Sequence, residues 1–328
     1  MLIPVLLFAL GLVLLIKGGD WFVDGATGIA ERFHVPEIII GATVVSIGTT
    51  LPEVMVSATS ALTGHGEIAY GNAIGSIICN TALIAAITVA VRPGPVDTKA
   101  LKTPVLFFFG SAAIYVVNTY VTGYFGRPLG ILLLAIFVVY LVVTVRQGFR
   151  NPVEAAAEEE GTKEIEEKAT KNTMGKDILL LVVGAALVAV GADLLVDNGT
   201  LIAQALGVPE SVIALTFVAL GTSLPELVTA ITSLAKGHGA LSLGNVIGAN
   251  LFNLVLVSGM SMTLAPFYIP ESSTLFGVNA SLVLDIPLML FVMAFLTLPA
   301  LKTRNLSRYQ GIVLLILYAA FCGIQFTM

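Results

Sequence analysis

Two glutamates set the chemistry this chain can do. Glu53 closes the phrase GTTLPE at Gly48 to Glu53, Glu226 closes GTSLPE at Gly221 to Glu226, and both phrases stand inside long apolar stretches. A carboxylate at the centre of a spanning helix costs about 2.5–3.5 kcal/mol to insert, so its presence there points to function. The proline before each glutamate has no N–H to give and pushes away the carbonyl four residues earlier, that of Gly48 or Gly221, which leaves an oxygen free. The hydroxyls of Thr49, Thr50, Thr222 and Ser223 add further oxygens. Carboxylate, hydroxyl and freed carbonyl together suit a hard cation. The competing structural reading has the prolines merely kinking helices and each glutamate paired with a lysine, but the apolar runs supply almost no cations.

A second phrase follows each glutamate: GNAIGSIICN at Gly71 to Asn80 and GNVIGANLFN at Gly244 to Asn253. Gly71, Gly75 and Ser76, matched by Gly244, Gly248 and Ala249, form the small-residue pattern that lets helices approach closely, so packing is the first reading for the glycines. Asn72, Asn80, Asn245 and Asn253 differ, because an amide at membrane depth needs partners and offers a carbonyl oxygen to a cation. Asn80 and Asn253 are the candidates for lining a site.

The elements that must position these residues are membrane helices. Hydrophobic residues make up 57% of the 328 and charged ones 11%; with a mean hydropathy of +0.97, this excludes an ordinary soluble domain. Runs able to cross about 30 Å of hydrocarbon occur at about 2–24, 36–62, 68–91, 102–120, 128–147, 176–198, 209–235, 241–265, 274–298 and 308–326. Ten spans put both termini on one side. With both outside, fourteen of the sixteen Lys and Arg fall in inner connections and Arg127 alone in an outer one, so residues 151–175 are predicted to be a cytoplasmic linker in a protein of the cell membrane. That linker region is acidic and reads as solvated, with Asp177 counted among its carboxylates. Cys79 and Cys322 lie in apolar stretches and suggest neither a disulfide nor a thiolate metal site. There is no basic aromatic surface for nucleic acid, no sign of a cofactor or of an obligatory protein partner, and no catalytic constellation in the spans; an enzyme is not indicated.

Residues 18–80 align with 191–253 at a constant offset of 173 without a gap, and 28 of the 63 positions are identical. A five-span unit is odd, so its second copy enters the membrane from the opposite face. The chain is thus predicted to hold a first five-helix repeat at 1–150 and a second, inverted one at 176–328, the arrangement of secondary transporters with sites at the repeat interface.

The paired motifs resemble the α-repeats of the calcium/cation antiporter superfamily, most closely its prokaryotic sodium/calcium exchanger branch, over the whole chain. The resemblance implies an all-α, ten-helix antiporter with helices 2, 3, 7 and 8 broken around ion sites at the midplane. By motif position it implies that Glu53 and Glu226 with Thr49 and Thr222 coordinate Ca²⁺. Sodium would use Thr50, Ser223, Ser76, the two glutamates and backbone oxygens near Ser46 and Ala219. Three positions depart from the branch: Ala249 removes a hydroxyl, Asn253 stands where many relatives have an acid, and Ile77 replaces a frequent Asn, a change expected to affect packing only. The alternative reading is a proton-coupled cation antiporter, and a cation channel is a more distant one.

Two carboxylates and one Ca²⁺ sum to zero charge, as do several Na⁺ on the same pair, so each ion expels the other and the loaded states cross most easily. Ca²⁺ accepts six to eight oxygens in irregular geometry, whereas Mg²⁺ demands a tight octahedron, so selectivity for Ca²⁺ is expected. Asp285, whose place in the first copy is taken by Ala112, is expected to be satisfied by Lys17 or by a backbone donor beside Pro287. His65 and His238 read as loop residues in Gly-rich turns rather than ligands. Asp20, Asp24, Asp193 and Asp197 are expected near helix ends.

Overall fold

The computed structural model describes residues 2–150, 174–206, 221–270, 274–275 and 277–325. The linker up to residue 173, the Val208-Pro209-Glu210 phrase and Ala219 lie outside the described residues. Among the described residues ten helical elements occur in chain order: α1 (Leu2–Phe33), α2 (Glu37–Leu62), α3 (Gly66–Val91), α4 (Thr98–Thr122), α5 (Arg127–Arg150), α6 (Met174–Ala205), α7 (Leu224–Ala235), α8 (Gly239–Leu264), α9 (Ser281–Thr303) and α10 (Arg308–Gln325). Among the described residues, all but α7 are long and apolar enough to cross a membrane. The expected span 209–235 is described only from residue 221 onward.

Among the described residues three two-residue strand pairs join connections: Gly94–Pro95 with Asn305–Leu306, Tyr124–Phe125 with Phe267–Tyr268, and Thr274–Leu275 with Val278–Asn279. The last corrects the expected ninth span. Thr274–Leu275 and Val278–Asn279 pair as short strands, not helix; Gly277 takes φ +78, and Asn279 donates to Pro270 O at 2.7 Å and accepts from Ser281 N at 2.9 Å. α9 therefore starts at Ser281. α1 differs too, running to Phe33 instead of ending near residue 24. Nothing in Asp20 or Asp24 breaks a helix; the stop comes at His34, left-handed at φ +51, where Val35 N bonds to Ala30 O at 3.0 Å, ahead of Pro36. The turns between α2 and α3 and between α7 and α8 end alike, with glycine in the left-handed conformation at Gly64 and Gly237. There His65 N and His238 N reach Ser60 O and Ser233 O, each at 2.8 Å, the paired bonds of a Schellman stop.

Several helices carry π-helical turns: Gly41–Val45 in α2, Asn80–Ala85 in α3, Asn253–Val257 in α8 and Ser281–Asp285 in α9. A π turn holds one residue more than the α geometry and is common at functional sites.

The chain divides into two compact units. One comprises Met1–Thr49 and Val142–Asn245, the other Thr50–Leu141 and Val246–Met328. In the first unit α1 and α6 pack antiparallel through small residues. A Cβ on Gly18 would lie 2.8 Å from Val188 N, on Gly11 2.9 Å from Gly191 O, and on Gly25 2.4 Å from Leu181 N. Leu15, Val188 and Ala192 form the packed centre, with Leu195, Leu224 and Val228 against it. Asp177 belongs here and not to a solvated linker: it stands in the first turn of α6, 1% exposed, and accepts from Arg32 Nη2 at 2.9 Å. α2 crosses α8 where Gly244 touches Ile38 and Gly41 touches Leu241 and Asn245.

In the second unit α3, α4, α9 and α10 pack with the remaining parts of α2, α5 and α8. Phe125 sits among Tyr115, Phe267 and Tyr70, with ring centroids 5.2, 5.3 and 6.0 Å away. Gly130 meets Gly259 O, and Gly311 lies against the backbone of Ala86 and Ala90.

Candidate ion-binding site

In the first unit Ser46 directly follows the α2 π turn and is fully buried. Its hydroxyl lies 2.7 Å from Gly41 O, which also accepts the Ser46 backbone N–H across the wider turn, and 2.9 Å from Asn245 O. Thr49, one turn on, donates to Asn245 Oδ1 at 3.2 Å. With its proton committed to Asn245, the Thr49 hydroxyl keeps its lone pairs for another partner. In the second copy of the phrase Thr222 and Ser223 form a turn, and α7 begins at Leu224 with Pro225 in its first turn, where a missing N–H costs nothing. Glu226 follows, 0% exposed. Thr222 is half-buried and Ser223 buried.

In the second unit α2 continues through Thr50 and Pro52 to Glu53, which is also 0% exposed. Asn72 on α3 donates to Ser57 Oγ at 2.7 Å and to the Glu53 carbonyl at 3.2 Å, holding this part of α2 against α3. Ser76 is buried one turn beyond. Asn80 and Asn253 each open a π turn, and both are 0% exposed. Neither amide has a hydrogen-bond partner among the described residues, and the same holds for the Thr50 hydroxyl. Unpartnered amides and hydroxyls at this depth cost free energy unless something polar reaches them.

The charged groups are distributed one-sidedly. Among the described residues the fully buried carboxylates are Glu53, Glu226 and the Arg32-bound Asp177, and no Lys, Arg or His is buried. The lysine-paired reading of the glutamates thus finds no buried cation among the described residues. The described residues offer no cluster of three or more His, Cys, Asp or Glu that could hold a metal.

The sodium/calcium exchanger protein family matches residues 3–146 and 176–327, nearly the whole chain. The chain belongs to the sodium/calcium exchanger family. It is similar to the sodium/calcium exchanger MaX1 of Methanosarcina acetivorans, 30% identical with 98% of each chain covered, and to the putative antiporter CaxA of Alkalimonas amylolytica, 34% identical over all of this chain and 99% of that one. A solved structure of the sodium–calcium exchanger NCX_Mj, soaked with Na⁺ and Ca²⁺, superposes with a TM-score of 0.78 at 32% identity, covering 98% of this chain and 97% of the other. As a member of this exchanger family the protein is a multi-pass membrane transporter.

Other positions come out differently from the sequence reading. Asp285 is met by Gln325 of α10, whose Nε2 lies 3.1 Å from Oδ1, while Lys17 is exposed. Asp20 and Asp24 lie well inside α1, where Lys236 Nζ comes within 3.5 and 2.7 Å of them. His238 is more than a loop residue, with Nδ1 2.6 Å from Glu37 Oε1. The glycines divide: Gly244 is a contact point, whereas Gly71 and Gly75 meet nothing within 4 Å among the described residues. Ile77 is fully buried and Ala249 likewise. Asn250, which holds the place of Ile77 in the second copy, donates to Thr81 Oγ1 at 2.7 Å and lies 3.1 Å from Met293 Sδ. Thr229 and Ser233 were not singled out, yet both are 0% exposed with hydroxyls unpartnered among the described residues. They follow Glu226 at i+3 and i+7, so the helical period was the signal that could have found them.

Proposed function

We propose that the protein exchanges Na⁺ for Ca²⁺ across the cell membrane as a secondary antiporter, with Glu53 and Glu226 as the charged ligands. The observation that carries this reading is the full burial of both glutamates, each at the end of the same phrase, in a chain of the exchanger family. Thr49 and Thr222 join them on Ca²⁺. Thr50, Ser223, Ser76, Asn80, Asn253 and backbone oxygens near Ser46 and Ala219 serve Na⁺ or line its path; the unpartnered Thr50, Asn80 and Asn253 support their inclusion. Ala249 gives up one hydroxyl, so the sodium site beside it draws on water.

The halves at 1–150 and 176–328 are inverted repeats joined by a cytoplasmic linker at 151–175, with both termini outside. Three features support this. α3 and α8 share start and end at the offset of 173, Asn80 and Asn253 open π turns at that same offset, and Gly18 and Gly191, also equivalent, lie on helices that run antiparallel. Helices 2, 3, 7 and 8 break at the phrases when ions exchange, beginning from the π turns and from Pro52 and Pro225. The ions are cargo, and the chain's own contribution is a pair of buried carboxylates whose charge the loaded site balances.

The test is ⁴⁵Ca²⁺ uptake into liposomes carrying the purified protein, with an imposed Na⁺ gradient compared with an imposed pH gradient, in wild type, Glu53→Gln and Glu226→Gln. Uptake driven by internal Na⁺ and lost in both variants is expected. Uptake driven by pH alone would replace this reading with proton exchange, and flux independent of any counter-ion would make the protein a channel.

A further inference from the structure

At one end of the α9–α10 hairpin, in the second unit, lies a groove of about 500 Å³ lined by Phe295, Pro299, Thr303, Asn305, Ser307 and Tyr309 among others. It has an apolar floor and a polar rim, and its walls are fixed. Gln310 Nε2 donates to Phe295 O at 2.9 Å and to Leu296 O at 3.2 Å, Ser307 N donates to Gln310 Oε1 at 3.0 Å, and Thr303 Oγ1 reaches Pro299 O at 2.9 Å.

Cations interleave these lining residues in the chain: Lys302, Arg304 and Arg308, all exposed. The α3–α4 connection brings three more. Gly94–Pro95 pairs with Asn305–Leu306, and Val96 N bonds to Arg304 O at 3.1 Å, which fixes the segment bearing Arg92, Lys99 and Lys102 alongside, all exposed. The one acid in either segment, Asp97, is used as the cap of α4, accepting from Lys99 N at 2.8 Å and Ala100 N at 3.3 Å. Two exposed apolar stripes lead away from the groove at helical spacing, Phe291 and Leu298 on α9 and Ile312 and Ile316 on α10. The rings of Phe291 and Phe295 stack at 5.8 Å.

We propose that this groove binds the headgroup of an anionic glycerophospholipid, its phosphate held by Lys302, Arg304 and Arg308 and its acyl chains laid along the two stripes. The cationic surround repels a choline headgroup, and the apolar floor and stripes have no use for a soluble phosphate. Basic pockets at the ends of membrane helices act in this way elsewhere.

The experiment is native mass spectrometry of the purified full-length protein, titrated with phosphatidylglycerol or phosphatidylcholine of the same chains, with inorganic phosphate as a competitor. Arg304→Asn is the chosen change at Arg304, because its left-handed φ of +56 suits Asn. Wild type should prefer phosphatidylglycerol, and Lys302→Gln with Arg304→Asn and Arg308→Gln together should weaken that binding roughly a hundred-fold, about five-fold per cation. Lys302→Gln and Arg308→Gln singly, each at an exposed side chain, should show the five-fold step even if the triple variant folds poorly. Equal retention by the variants, equal binding of phosphatidylcholine, or displacement by millimolar phosphate would each overturn the proposal.

Discussion

Replacing Gly244 by Ala should wedge α2 from α8. The added Cβ would lie 2.2 Å from Ile38 O and 2.9 Å from Ile38 C and Cα. Carbon–oxygen contacts of this kind settle at about 3.3–3.6 Å, so the helices must part by roughly 1 Å. The obstructing atoms are backbone, which no rotamer change can move aside. Overpacking costs about 1–3 kcal/mol, and a backbone clash belongs at the upper end. At an unfolding entropy of about 2.1 cal/mol/K per residue, a chain of 328 residues shifts by roughly 1.5 °C per kcal/mol, so melting should fall by about 4 °C. The same displacement acts on the neighbouring residue, since Asn245 holds Ser46 and Thr49 at 2.9 and 3.2 Å, and a shift of 1 Å breaks both contacts. One hydrogen bond is worth about 1 kcal/mol, so the apparent affinity for the driving ion should weaken about five-fold. The assays are thermal denaturation in detergent and Na⁺-driven ⁴⁵Ca²⁺ uptake at graded Na⁺. Gly110→Ala is the control, because a Cβ there meets nothing within 4 Å among the described residues. A Gly244→Ala protein that melts within 1 °C of wild type with unchanged Na⁺ dependence would refute the close-contact argument.

Arg32→Gln strands the buried Asp177, and removal of one partner from a buried pair costs about 3–5 kcal/mol. Because Arg32 itself is 33% exposed, a loss of about 3 kcal/mol is expected on denaturation, larger than that of Asp177→Asn; equal small losses would count against the pairing. His238 is bonded to Glu37, and that bond, aided by Glu31 and Asp24, holds the imidazole above its usual range against the opposing effect of partial burial. A raised pKa in the folded state stabilises fully below the unfolded value near 6.5 and fades as pH rises through the folded one. Removing this pair with His238→Gln should therefore lower melting by about 1 kcal/mol equivalent at pH 6 and by little at pH 9, and a pH-independent difference would contradict this. Gln325→Leu takes the donor from Asp285 and should cost about 1 kcal/mol, whereas Asp285→Asn keeps an acceptor and should leave Na⁺-driven uptake unchanged; lost uptake in Asp285→Asn would give that acid a transport role.

Hydropathy made the spans legible because each must be apolar over its own length, and the phrases were legible because a carboxylate and a proline are costly at that depth. Helix ends were less so. α1 outruns its apolar stretch since the bilayer stops where polar residues begin, but a helix stops only where its backbone is turned, here at His34. Partners distant in sequence were invisible for another reason: nothing local ties Asp177 to Arg32 or Asp285 to Gln325. In the candidate site, residue types named Glu53, Glu226 and the hydroxyls, while the roles of Asn245 and Asn250 depend on which helix each faces. The π turns left no trace in composition, because a wider hydrogen-bond spacing is possible for almost any apolar sequence.

Those turns bear on how the chain tolerates changes of length. A π turn lodges one surplus residue, and at 3.6 residues per α turn each residue carries about 100° of rotation and 1.5 Å of rise. Deleting a single residue from 81–85 would let the helix relax to ordinary winding with Ser76 and Asn80 still in register with everything after Ala86, whereas adding one would swing them by about 100° against it. Exchange among Leu, Ile and Ala there should be forgiven, and so should loss of one residue, while gain of one should not. In these apolar stretches register, more than composition, keeps the polar atoms aligned.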